Sequence, residues 1–110
     1  MHRYLQRRGM TVVARNLQLP PLKAELDIVA VEGSTYVFVE VKTRESDSFG
    51  KPEEAVDLEK RTQITRAARA YLRAAGATWD QARFDIVSVT TGGDVRLEHI
   101  KDAFRLVRPL

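Results

Sequence analysis

The sequence predicts an α/β domain, a mixed β-sheet flanked by helices in the order α-β-β-β-α-β-β, with a candidate short helix at the end. Three observations carry this expectation. Two β-rich segments, ELDIVAV and YVFVEVKT, are separated by a short glycine-containing turn. Ile64, Ala67, Ala68, Tyr71, Leu72 and Ala75 recur at the spacing of an amphipathic helix. Two further β-rich segments, RFDIVSVT and VRLEHI, follow that helix and are joined by TGGD. The 110 residues suit one domain, a length at which about two-thirds of the unfolded surface becomes buried.

Taken in order, HRYLQRR reads as the last turns of a helix that starts before Met1, with Gly9 closing it in the left-handed conformation. MTVVARNL is a strand, ended by QLPPLK, whose two prolines stop further pairing. The hairpin turns at Glu32, Gly33, Ser34 and Thr35. Ser46 to Lys51 is polar and reads as a loop, after which Pro52, Glu53 and Glu54 suit the first turn of the long helix, which ends at Gly76. DAFRLV is the candidate final helix.

Composition narrows the chemistry. Hydrophobic content of 44% and charged content of 30% fit a folded protein with its own core. No apolar run approaches the roughly 20 residues that span a bilayer, and the start lacks a secretory signal, so a cytoplasmic protein with no membrane partner is expected. The chain has no cysteine, which removes disulfides, thiolate catalysis and the usual zinc motifs. Any metal should be hard and oxygen-bound. A glycine-rich phosphate loop ending in Lys-Ser or Lys-Thr is missing, which argues against an NTPase. Net charge is only +3, but basic residues gather in Arg3 to Arg15 and Lys51 to Arg73, where local fields attract phosphate.

The hairpin holds the clearest chemical signal. Side chains of a strand alternate, so Tyr36, Phe38, Glu40 and Lys42 share one face while Val37, Val39 and Val41 share the other. On the preceding strand Glu25, Asp27, Val29 and Val31 form one set. An antiparallel register with Val31 opposite Tyr36 sets Asp27 opposite Glu40 and Glu25 opposite Lys42; a two-residue turn keeps the same faces. Two carboxylates so close repel unless a cation or a proton lies between them. Mg²⁺ or Mn²⁺ fits, because such ions take one or two carboxylates and complete their shell with water and phosphate. Lys42 would orient a metal-activated water and offset charge on a phosphorane. The plainer alternative is a cross-strand ion pair of Lys42 with Glu25. Glu25 is thus either a third acidic ligand or that partner.

The segments AELDIVAVEGSTYVFVEVKTR, FGKPEEAV, the helix around Lys60, RFDIVSV and HIKDAF together resemble the YraN-like family of small bacterial proteins, over nearly the whole chain. Family members usually show Gly-Glu-Ile-Asp where this chain has Ala24-Glu25-Leu26-Asp27. The family is similar in fold to restriction endonucleases and archaeal Holliday-junction resolvases. The resemblance therefore implies a restriction-endonuclease-like sheet with a PD-(D/E)xK core, with Asp27, Glu40 and Lys42 in the matching positions and Glu25 beside them. Relatives usually begin with a fuller helix holding Gly-x-x-Gly-Glu, whose equivalent lies before Met1 or is absent.

Lys60, Arg61, Arg66, Arg69 and Arg73 could track a phosphate backbone or simply form a solvated helix face, and Arg44 and Lys51 flank the loop after the acidic strand. His2 and His99 are isolated, Trp79 and Tyr71 read as packing residues, and Asp85 interrupts an apolar strand. Three readings follow. The first is a magnesium-dependent endonuclease acting on structured or branched DNA; the second, a non-catalytic nucleic-acid-binding module; the third, an interaction subunit with a structural hairpin. DNA is the expected partner, and a homodimer is left open.

Overall fold

Residues 2–10 already show how local sequence fixes the chain's path. The first helix, α1 (His2–Arg7), closes with Gly9 N–H donating to the Gln6 carbonyl and Met10 N–H to the Leu5 carbonyl, both at 3.0 Å. That reciprocal closure needs a left-handed residue, which Gly9 supplies at φ +86°. It also brings Leu5 and Met10 together, and both are buried. The computed structural model describes residues 1–19, 24–46 and 56–105.

Among the described residues five strands follow the chain order across one sheet: β1 (Thr11–Gln18), β2 (Glu25–Glu32), β3 (Thr35–Arg44), β4 (Ala82–Thr90) and β5 (Arg96–Phe104). Only β3 and β4 are parallel, because the chain between them crosses over through a helix, α2 (Leu58–Ala75). The hairpin turn is the shorter of the two expected forms: Glu32 pairs with Thr35, leaving Gly33, at φ +62°, and Ser34 to turn. The mixed α/β sheet expected from sequence is therefore present. Among the described residues no helix is long and apolar enough to cross a membrane.

The strand alternation sorts the core into two layers. Val29, Phe38, Phe84 and Ile86 pack under Ile64, Ala67, Ala68 and Leu72 of α2. Ile28, Ala30, Val37, Val39 and Val87 face the other way and meet Leu5 and Met10 beside α1. Among the described residues, α2 thus covers one face and α1 the other.

Two expected elements differ. The helix predicted to open at Pro52 begins at Leu58, because Asp57 is extended (ψ 178°) and its carboxylate caps the helix by accepting Lys60 N–H at 2.9 Å. Pro52, Glu53 and Glu54 lie outside the described residues. The expected final helix DAFRLV is also corrected, since Asp102, Ala103 and Phe104 continue β5. Phe104 stacks on Phe84 with centroids 5.0 Å apart, a contact that a helix at this point would break. Leu106 and Val107 are outside the described residues.

The α1 side of the sheet also encloses a polar chain that reading by segment did not anticipate. Asp85 is fully buried and accepts from Arg83 Nε at 2.9 Å and Arg83 Nη2 at 3.0 Å. It also accepts the Asp102 N–H at 3.0 Å and meets His99 Nε2 at 2.8 Å. His99 Nδ1 lies 2.9 Å from the Tyr4 hydroxyl, and Arg83 reaches Glu32 at 2.9 Å, so α1, β2, β4 and β5 share one network. The register shift between Phe84 and Ile86, with Asp102 at φ +52°, is what turns that N–H onto Asp85.

Burial alone would raise the Asp85 pKa, but the hydrogen bonds from Arg83, Asp102 N–H and His99 outweigh it and hold the carboxyl below the usual aspartate range. Asp85→Ala should cost about 3–5 kcal/mol in urea unfolding at neutral pH, because Arg83 and His99 lose their buried partner. A depressed folded pKa gives stability that is complete above the unfolded value and is lost as pH falls below about 4. The acid limb of the stability curve should accordingly be flatter in Asp85→Asn than in wild type.

Candidate functional site

The site forms where two central strands part. The β2–β3 ladder runs from Glu32↔Thr35 to Ile28↔Val39 and stops. Beyond that point β2 stays with β1 as far as Gln18↔Glu25, while β3 stays with β4 as far as Arg44↔Thr90. Asp27 and Glu40 are the next residues in register and fall at the mouth of this fork. Asp27 Oδ2 accepts Val41 N–H at 2.9 Å, so a side chain replaces the missing main-chain rung.

Around that fork the charges are concentrated. Glu40 is only 5% exposed. Its Oε1 lies 3.5 Å from Lys42 Nζ and 3.5 Å from Lys60 Nζ, two ammoniums on one carboxylate oxygen. Burial raises the pKa of Glu40; the adjacent Asp27 carboxylate raises it further, and Lys60 and Lys42 only partly oppose this. The Asp27 and Glu40 carboxyls are close enough to hydrogen bond when a proton is present. Beside them Lys42 is paired in register with Ser88, whose Oγ is buried with no hydrogen-bond partner among the described residues.

The shared face of Asp27, Glu40 and Lys42 follows from strand alternation, as expected from sequence. Glu25 is half-buried at the start of β2, paired with Gln18, and the ion pair of Lys42 is made to Glu40. The basic residues of α2 divide into two groups. Lys60 turns inward to Glu40, and Arg61 turns inward so that its Nε donates to the Val56 carbonyl at 2.7 Å and its guanidinium lies 5.2 Å from the Phe104 ring centre. Arg66 and Arg73 are exposed, and Arg69 is half-exposed beside Trp79. Arg44 is half-buried, its carbonyl accepting Thr91 N–H at 2.9 Å. Lys51 lies outside the described residues.

Lys60 was the residue most open to discovery from sequence. Counting back from Ile64 and Ala67 by four and seven places it on the apolar stripe of α2, above the sheet, and Arg61 falls on the same side. A cation on an inward stripe needs an anion to meet it. Glu40 is that anion.

Comparison with other proteins gives a consistent result. The family model described as "Uncharacterised protein family UPF0102" matches residues 1–89. A UPF0102 protein of Solibacter usitatus (strain Ellin6076) is 48% identical over 103 residues, covering 94% of this chain and 78% of the relative. Another, of Nitratidesulfovibrio vulgaris (strain DP4), is 50% identical over 108 residues, covering 96% and 78%. A third, of Rhodococcus jostii (strain RHA1), is 41% identical over 104 residues, covering 93% and 86%.

The carboxyl pair gives a direct test of this geometry. In a metal-free carboxyl-carbon NMR titration, Glu40 should titrate above the ordinary glutamate value of about 4.3. Asp27→Asn keeps an oxygen for Val41 N–H but removes the neighbouring charge, so the Glu40 midpoint should fall. It should remain elevated, because burial is the larger cause. A midpoint unmoved by Asp27→Asn would mean that the two carboxyls do not meet.

Proposed function

The chain belongs to the UPF0102 family, and from that premise we propose that it is a magnesium-dependent endonuclease, with a restriction-endonuclease-like core, that hydrolyses phosphodiester bonds in structured or branched DNA. The observation that carries this reading is the fork itself. Two carboxylates from neighbouring strands meet where the ladder opens, with an ammonium from the same strand beside them.

The donor set supports Mg²⁺ or Mn²⁺. Asp27 and Glu40 offer hard carboxylate oxygens, and among the described residues no three His, Cys, Asp or Glu side chains converge to build a closed cage. Such a pair suits an ion that draws most of its shell from water and substrate phosphate. When bound, the ion supplies an activated water and a countercharge for the phosphoryl oxygens. The chain's own residues do the rest. Asp27, fixed by Val41 N–H, and Glu40, fixed by burial, would hold the ion at the fork. Lys42 keeps its ammonium beside Glu40, where it can orient the attacking water and stabilise charge developing on phosphate. Outward-facing Arg66, Arg69 and Arg73 supply contacts to the DNA backbone, which set position without reading sequence.

Cleavage of linear, flapped and four-way DNA in Mg²⁺ or Mn²⁺ tests the reading. Wild type should cut at least one of them, and Lys42→Ala should lose on the order of 100- to 1,000-fold in single-turnover rate while still binding DNA. A structural ion pair predicts an unchanged rate, with only a fall in melting temperature as the buried Glu40 carboxylate loses one of its two ammoniums. Metal-independent binding with no cutting of any substrate would move the reading to a nucleic-acid-binding module.

A further inference from the structure

We infer that Lys60 is a phosphate-contacting residue that is stored on Glu40 in the free protein and turns to the substrate when Glu40 takes a divalent ion; this rests on the nuclease reading. The observation is a local count of charge. Asp27 and Glu40 contribute two negative charges at the fork, and Lys42 and Lys60 contribute two positive ones, both ammoniums 3.5 Å from Glu40 Oε1. The free site is therefore neutral as it stands. Glu40 cannot serve two ammoniums and a divalent ion on the same oxygens, because close like charges raise the energy of all three cations.

The two lysines are not equally placed to leave. Lys42 rises from the middle of the sheet, on a strand paired on its parallel side, in the same row as Glu40. Lys60 comes from the other layer, in the first turn of α2, and reaches down to Glu40 with a third of its side chain exposed. Rotation about its own side-chain bonds can carry the ammonium off Glu40 toward solvent without moving backbone. Its backbone N–H stays bonded to the Asp57 carboxylate, so the helix cap does not depend on where the side chain points. A phosphate held by an ion at Asp27 and Glu40 would lie within reach of the ammonium that Glu40 now holds at 3.5 Å. In this scheme Lys60 adds one phosphate contact that exists only when the ion is held.

This gives Lys60 a signature that a structural lysine would not have. Mn²⁺ binding is measured by calorimetry, and binding of a fluorescent four-way DNA junction by stopped-flow anisotropy, read before cleavage, with and without Mn²⁺. Lys60→Met should bind Mn²⁺ roughly 3- to 30-fold more tightly than wild type, the range expected for removing a unit charge beside a divalent ion at water-like screening. The same variant should lose the gain in DNA affinity that Mn²⁺ gives wild type. Lys60→Arg, which keeps the charge, should keep that gain. Unchanged or weaker Mn²⁺ binding by Lys60→Met, or an intact gain in DNA affinity, overturns the proposal. Asp27→Asn separates this failure from that of the nuclease reading. If wild type binds no Mn²⁺, or binds it as well with Asp27→Asn, the metal site itself is wrong and the role of Lys60 falls with it.

Discussion

The structure depends most on one unfavourable contact, the carboxyls of Asp27 and Glu40 meeting where two central strands of a hydrophobic sheet part. Burying even one unpaired carboxylate costs several kcal/mol. The fold meets that cost locally and in three ways. Val41 N–H bonds Asp27, and Lys42 and Lys60 approach Glu40 from two different layers. The parting of β2 from β3 makes room for all of them. A continuous ladder would have put main-chain groups where Asp27 now accepts Val41 N–H.

The opposite face explains why a fork can be tolerated. There the same strands are held by a polar chain running from Tyr4 through His99, Asp85 and Arg83 to Glu32. Every buried atom of Asp85 has a donor, so this network is of the satisfied kind that fixes one arrangement of its strands. It ties α1 and β5 to β4, the strand that keeps β3 in line after β2 has left it. One face therefore carries rigidity and the other carries an opening.

Much of this was legible in the sequence because it depends on short-range periodicity. Alternation alone put Asp27, Glu40 and Lys42 on one face, and the turn at Gly33 fixed the register. The fork was not legible, since it arises from β1 and β4 pulling on different strands, and no window around Asp27 contains both. The Asp85 network depends on the register shift between Phe84 and Ile86, which rotates Asp102 N–H inward; alternation has no means of announcing a bulge. Asp102, Ala103 and Phe104 are strand rather than helix for a related reason: their composition allows either state, and the stacking of Phe104 on Phe84 decides. The true start of α2 was hidden by Pro52, a good first-turn residue, when the stronger signal was Asp57 three residues before Lys60.

A structural account of the fork would need the charges to serve the fold, and the neighbouring residues argue against that. On the reverse face of β3, Val37 and Val39 are buried with Ile28, Ala30 and Val87, and the polar network that orders that face lies at Asp85, away from Asp27 and Glu40. Replacing a buried charge cluster whole by apolar residues is often neutral or stabilising, so apolar residues at Asp27, Glu40, Lys42 and Lys60 together would extend the Val29 and Phe38 layer. The register was already set by the glycine turn and by alternation. With neither stability nor register requiring them, four charges converging from two strands and a helix are better understood as parts that act on something outside the chain. On the proposed reading that something is a phosphodiester, whose phosphate would suit both the ammoniums and a divalent ion held by the carboxylates.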